Sequence, residues 1–174
     1  RGLGDVYKRQ PQGVPLIVCA TSGTTVLGAF DDVAAIAEVC RKYDLWLHVD
    51  ASWGGAAAFL PHDAPERSVL AGLENAHSIT INPHKLLGVT HQCSFLLVHD
   101  KSVLIPPSHS DGGYLFHVPA EDALDMATKT LGCGRRGDAL KFYLVWLRYG
   151  TQGLGDHIAP VSYTHLRAHE TDSY

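Results

Sequence analysis

The stretch "SITINPHKLLGVTHQCSFLLV", Ser78 to Val98, decides how the rest of the chain is read. Ser78 to Ile81 alternates polar and β-branched residues, and Phe95 to Val98 is continuously apolar, so both are expected to be strands of a covered sheet. Pro83, His84 and Lys85 fall between them. Lys85 therefore stands just past a strand end, as either a solvated loop charge or a desolvated, nucleophilic amine.

The surrounding pattern favours an α/β fold. Leu16 to Ala20, "LIVCA", is a short apolar run closed by the hydroxyl-rich cluster Thr21, Ser22, Gly23, Thr24 and Thr25, as expected of a buried strand and its loop. "FDDVAAIAEVCRKYD" then offers Asp31 as a helix N-cap, apolar Val33, Ile36, Ala37 and Cys40 at helical spacing, and Arg41 and Lys42 in the last turn. "LWLHVDAS" returns to strand, and a crossover of this length suits a parallel pair. Gly137 to Tyr149 is expected to be a helix with an apolar side of Leu140, Tyr143, Leu144 and Leu147. Ser108 to Leu124, punctuated by glycine and proline, is expected to be a mobile loop.

In mostly parallel sheets flanked by helices, ligands collect at the carboxyl ends of the strands. Thr21, Asp50 and Lys85 each follow a different expected strand at that end. A carboxylate closing an apolar strand needs a partner, because an unpaired buried charge costs several kcal/mol or neutralises. A cationic ring nitrogen would serve Asp50, and an aldehyde would serve Lys85. Pyridoxal phosphate carries both groups. The small residues Ala51, Ser52, Gly54 and Gly55 would let a flat ring approach the backbone. Taken singly, each signal has a plainer explanation. A strand-end aspartate is commonly a cap or ion-pair partner, a loop lysine is commonly solvated, "TSGTT" can be only a turn, and His48 suits a hydrogen-bonded core position.

The joint pattern is more specific. "ATSGTTVLGAFD", "HVDASWGG", "NPHKLL", "GYLF" and "CGRRGDALKFYLVW" together resemble the pyridoxal-phosphate-dependent group II decarboxylases, nearest to the glutamate and cysteine sulfinate decarboxylase branch. The resemblance implies part of the large domain of a fold-type I transferase. It also implies that Lys85 carries the cofactor aldehyde, that Asp50 pairs with the pyridine nitrogen, and that Ser52 lies beneath the ring. Asn82 and His84 would lie near the phosphate and Thr21 near the phenolic oxygen. Arg135 would receive the substrate α-carboxylate and Tyr114 would return a proton. A homodimer acting on a small acidic amino acid is implied for the intact protein. His117, Val118 and Pro119 stand where the branch often has "QQD", and Gly132 where glutamine is usual. These departures bear on which amino acid is used, leaving an aromatic or diamino acid, or a noncatalytic fragment, as alternatives.

The ends are read differently from the middle. Arg1 to Gln10 can be encoded by an oligonucleotide whose opposite strand, in a shifted frame, encodes Val161 to His169. Residues 1–10 and 161–174 are therefore expected to be adaptor-derived, leaving 11–160 as the partial cofactor-binding domain. The sole methionine is the internal Met126, which suggests truncation at both ends. The net charge of −4 gives no reason to expect nucleic acid or an anionic membrane as partner. Cys19, Cys40, Cys93 and Cys133 form no C-x-x-C pair, which fits a reducing compartment, with cytosol as the default location. No apolar run reaches the ~18 residues of a membrane helix. His48, Asp50, His84 and His91 could be considered as a hydrolase metal site, but no ligand pair stands at i,i+4 on a clear helix.

Overall fold

The computed structural model describes residues 13–104 and 136–165. A four-stranded sheet is formed by β1 (Ile17–Thr21), β2 (Trp46–Asp50), β3 (Ser78–Ile81) and β4 (Phe95–Val98), in spatial order β1-β2-β3-β4. The first three strands are parallel and β4 runs antiparallel to β3. The register aligns Thr21 with Asp50 and Asp50 with Thr80, so three strands end at one level.

Between β1 and β2 runs α1 (Val33–Lys42). Its cap is Asp32, whose side chain accepts from Ala35 N at 3.0 Å, rather than the expected Asp31. Asp31 is taken by the strand: its carboxylate accepts from Thr21 N at 2.7 Å, and its own N–H donates back to Thr21 O at 2.9 Å. Val33, Ala37 and Cys40 of α1 pack on Ala20, Leu47, Val49 and Ala51, with Ile36 half-buried beside them. One face of β2 thus closes a core while Trp46, His48 and Asp50 occupy the other. His48 is hydrogen-bonded as expected of a core histidine, with Nδ1 2.8 Å from Ser78 Oγ and Nε2 3.3 Å from Thr80 Oγ1.

A second core forms where α2 (Asp138–His165) meets the segment after β2 and the lysine loop. Gly150 interrupts α2 with φ 66° and ψ 178°, a conformation natural to glycine that divides it into two helical arms. Leu154 and Ile158 of the second arm pack on Ala56, Ala57, Leu60, Leu87, Val89 and Cys93. The arm continues through Pro160 to His165, across the boundary at 160 drawn from the sequence.

The covered strand expected at Phe95–Val98 is corrected, and the apolar side of α2 is not the side that docks. Leu140, Tyr143, Leu144 and Leu147 of α2 are exposed, and its docking face is instead Phe142 and Val145, with Trp146 edge-on to Phe59. This helix is apolar around most of its circumference, so periodicity does not select the side that docks. In β4, Leu96 and Leu97 are more than half exposed, so its apolar run is not covered on both faces by the described residues. Among the described residues no helix is long and apolar enough to cross a membrane.

Leu47 is fully buried at the centre of the first core. Leu47→Ala is expected to cost about 2–5 kcal/mol, the range for buried leucine truncation. Urea unfolding of the intact protein measures it, and a loss under about 1 kcal/mol would contradict this account of the core.

Candidate active site

The end of β1 is pinned by backbone bonds on two sides. Ser22 N donates to Asp50 O at 2.9 Å, and Gly54 N donates to Ser22 O at 3.1 Å. This brings the residues after β2 directly under the β1 loop. A Cβ on Gly54 would lie 2.4 Å from Ser22 O and 2.6 Å from the Phe30 ring, so no side chain fits there. Ala51, Gly54, Gly55 and Ala56 are buried and small, forming a low shelf at the sheet end.

Ser52 is the junction above that shelf. Its N–H donates to Asp50 Oδ1 at 3.0 Å, closing a short turn over the carboxylate. Its Oγ accepts from Lys85 Nζ at 2.9 Å. Its carbonyl accepts from Asn82 N at 3.3 Å. An amine and a carboxylate from different strand ends therefore converge on one serine. Both Asp50 and Lys85 are exposed, so the two charges face an accessible space. A hollow of about 350 Å³ lies at the opposite end of the strands, beside Arg41, Glu74 and His77.

The lysine loop is stiffened internally. Lys85 N donates to Asn82 O at 3.0 Å, and Val89 N donates to Pro83 O at 3.1 Å. His84 Nδ1 lies 2.6 Å from Cys93 O and 3.1 Å from Cys93 N, so the imidazole is held by the backbone of one residue whichever tautomer it adopts. Its ring meets His91 edge to face with centroids 4.4 Å apart. Burial pushes the Cys93 thiol up, and the nearby Asp138 charge adds to this while Lys141 opposes it.

Thr21, Asp50, Ser52, Asn82, His84 and Lys85 thus belong to one end of the sheet, and Thr21 is half-buried there. Tyr114 and Arg135, expected to act on substrate, lie outside the described residues. Three residues at the far side of the loop were not singled out from the sequence. Ser94 Oγ donates to Asn82 Oδ1, Ser94 N donates to Asp138 Oδ2 at 3.4 Å, and Lys141 Nζ stands 2.8 Å from Asp138 Oδ1. The i,i+3 spacing of Asp138 and Lys141 was a visible sign of their pairing, but not of what they bind.

The Lys141 ammonium holds the Asp138 carboxyl below its usual value of 3.8, assisted by Ser94 N–H and Arg136 and opposed by burial. A depressed carboxyl pKa stabilises the fold above the unfolded value, and that contribution disappears as pH falls through the folded value. Asp138→Asn should therefore destabilise the protein at neutral pH, and the gap to the parent should close on acidification below about 3.8. Denaturant titrations across that pH range provide the check. A gap that widens in acid would reverse the sign of this assignment.

Residues 5–165 match the model of the pyridoxal-dependent decarboxylase conserved domain. The chain is 48% identical over 153 residues to acidic amino acid decarboxylase GADL1 of Mus musculus, covering 86% of this chain and 27% of that protein. It is 49% identical over 144 residues to human (Homo sapiens) cysteine sulfinic acid decarboxylase, covering 81% and 29%. The crystal structure of mouse CSAD superposes with a TM-score of 0.77 at 42% identity, over 97% of this chain and 34% of that one. The chain thus spans under a third of the length of these curated relatives.

Proposed function

Because the chain belongs to the pyridoxal-dependent decarboxylase family, we propose that the intact protein releases carbon dioxide from a small acidic L-amino acid, using pyridoxal phosphate held at the Asp50–Ser52–Lys85 junction. The observation that carries this reading is the convergence of Asp50 and Lys85 on Ser52.

The residues suit the cofactor. Lys85 offers an exposed primary amine to an aldehyde, and Asp50 offers a carboxylate to a ring N–H. Asp50 Oδ1 accepts from Ser52 N, and no described residue donates to Oδ2. The shelf around Gly54 is too tight for a Cβ from below and is floored by small residues, which suits a planar ring lying against the backbone. When bound, pyridoxal phosphate supplies an electron-withdrawing ring that accepts the electron pair left when a carboxylate departs as carbon dioxide.

Each residue then has a distinct task. Asp50 keeps a proton on the ring nitrogen; hydrogen bonds to charged groups are worth about 1.5–3 kcal/mol, more where water is excluded. Ser52 fixes the rotamer of Asp50 through its N–H and the direction of Lys85 through its hydroxyl. Asn82 and His84 would hold the phosphate, the imidazole being kept in place by the Cys93 backbone. Thr21 would lie near the phenolic oxygen. Arg135 binds the substrate α-carboxylate, orienting the bond to be broken, and Tyr114 or Lys85 delivers a proton to the α-carbon.

Acidic side chains are favoured as substrate because the relatives include decarboxylases named for acidic amino acids and cysteine sulfinic acid. A homodimer is the proposed working form and the cytosol its location. Residues 1–10 and 161–174 have no part in this reading.

Lys85→Ala in the intact protein should abolish the cofactor attachment that borohydride fixes to the chain; unchanged fixation would remove Lys85 from its assigned role. Asp50→Asn should retain cofactor through the phosphate contacts but lose decarboxylation by several orders of magnitude, because an amide cannot keep the ring nitrogen protonated. Normal turnover at normal cofactor content would assign Asp50 another task.

The substrate reading is tested by supplying glutamate, aspartate, cysteine sulfinate, DOPA and tryptophan at equal concentration and measuring carbon dioxide. A site built around a charged group discriminates strongly against ligands that leave it unpaired, so the first three should dominate. Preference for an aromatic substrate would overturn the acidic assignment and leave the cofactor site standing.

A further inference from the structure

Asp138 and Lys141 occupy the first turn of α2, and neither is assigned above to cofactor or substrate. Both grip the loop that carries Lys85. Lys141 Nζ donates to Gln92 O and reaches Thr90 O at 3.5 Å, while Asp138 O accepts from Cys93 Sγ at 3.5 Å. Asp138 Oδ2 accepts from Ser94 N at 3.4 Å. A single helical turn therefore engages residues 90, 92, 93 and 94, the distal limb of the loop.

The connection continues to the site without a break. Ser94 Oγ donates to Asn82 Oδ1, Asn82 N donates to Ser52 O at 3.3 Å, and Ser52 contacts both Asp50 and Lys85. With its carbonyl oxygen occupied by Ser94, the Asn82 amide can present its NH₂ group elsewhere.

We propose that the Asp138–Lys141 pair positions the lysine loop, fixing Asn82 through Ser94 and so setting where the Lys85 amine stands over Asp50. Both are positioning residues: their contacts are with the distal limb of the loop and with each other. Asp138 Oδ1 is shut off from solvent without a well-directed hydrogen bond, and the ammonium at 2.8 Å compensates its charge. The inner part of the loop is already tied to itself by the His84–Cys93 contacts, so displacement of the distal limb should carry Asn82 and Lys85 with it.

This inference rests on the cofactor reading above, and the experiment separates the two. Intact protein with Ser94→Ala, Asp138→Asn, Lys141→Arg or Lys141→Met is stripped of pyridoxal phosphate and titrated with it. Cofactor affinity and the visible circular dichroism of the bound cofactor are recorded beside the thermal midpoint of the cofactor-free protein. Ser94→Ala and Asp138→Asn should each weaken binding about tenfold, the loss of roughly one net hydrogen bond. The dichroism should change with them, because the cofactor tilts when its lysine is displaced. Lys141→Arg should retain most of the affinity and Lys141→Met should not.

Should Asp138→Asn fail to fold, Ser94→Ala alone carries the test, since it removes only the hydroxyl that reaches Asn82. Unchanged affinity and dichroism in Ser94→Ala would overturn the positioning role. Affinity that falls only in step with the cofactor-free thermal midpoint would also overturn it, by reducing the pair to ordinary fold support. A parent protein that takes no cofactor on Lys85 would instead overturn the proposed function on which this inference stands.

Discussion

Parallel pairing of β1, β2 and β3 in one register is the constraint from which the site follows. Thr21, Asp50 and Thr80 are lined up at the strand ends, and the chain must leave all three strands at the same level. Backbone bonds then carry that alignment into the loops: Ser22 N to Asp50 O, Ala51 N to Thr80 O, and Asn82 N to Ser52 O. A shift of one residue in β2 would turn Asp50 towards α1 and bring Val49 to the polar face. The burial of Leu47, Val49 and Ala51 against α1 opposes that shift. The position of the carboxylate is thus secured by apolar packing on the opposite face of its own strand.

The second requirement is close approach. Gly54 passes so near Ser22 and Phe30 that even a methyl group would collide, and this proximity makes the shelf after β2 low and flat. The serine between aspartate and shelf is the one residue of "HVDASWGG" that contacts both charged groups, through its backbone to one and its hydroxyl to the other. The lysine loop reaches it because β4 returns antiparallel beside β3, and Phe95 packs its ring 5.5 Å from Phe142 of α2. The polar anchor at Asp138 and Lys141 lies beside that aromatic contact, so apolar and charged interactions hold the same limb.

Several surfaces of this chain remain apolar and exposed. Ile17 and Leu96 lie on the outer strands, on the sheet face shared by Asp50, and Leu140, Tyr143, Leu144 and Leu147 form one side of α2. Periodicity in such segments announces that apolar residues recur, but not which of them will meet a partner. The first arm of α2 shows this directly, since Phe142 and Val145 dock while the apolar side of Leu140, Tyr143, Leu144 and Leu147 is exposed.

What the sequence determined by itself was the order of the strands and helices and the family to which the chain belongs. Alternation and apolar runs marked the strands, the 3.6-residue spacing of Val33, Ala37 and Cys40 marked α1, and three chemistry-bearing residues fell at three strand ends. These are local signals, legible because backbone periodicity and turn chemistry act over a few residues. The family pattern added expected roles that geometry alone would leave open, including those of Tyr114 and Arg135. Tertiary structure decided the rest. Asp31 was drawn from capping α1 to bonding Thr21, because the strand end offered an N–H and Asp32 could cap in its place. Ser52 became a junction, and Ser94, Asp138 and Lys141 became a clamp, only when segments more than thirty residues apart were brought together. No periodicity records such contacts, because they depend on how elements pack rather than on how each one forms.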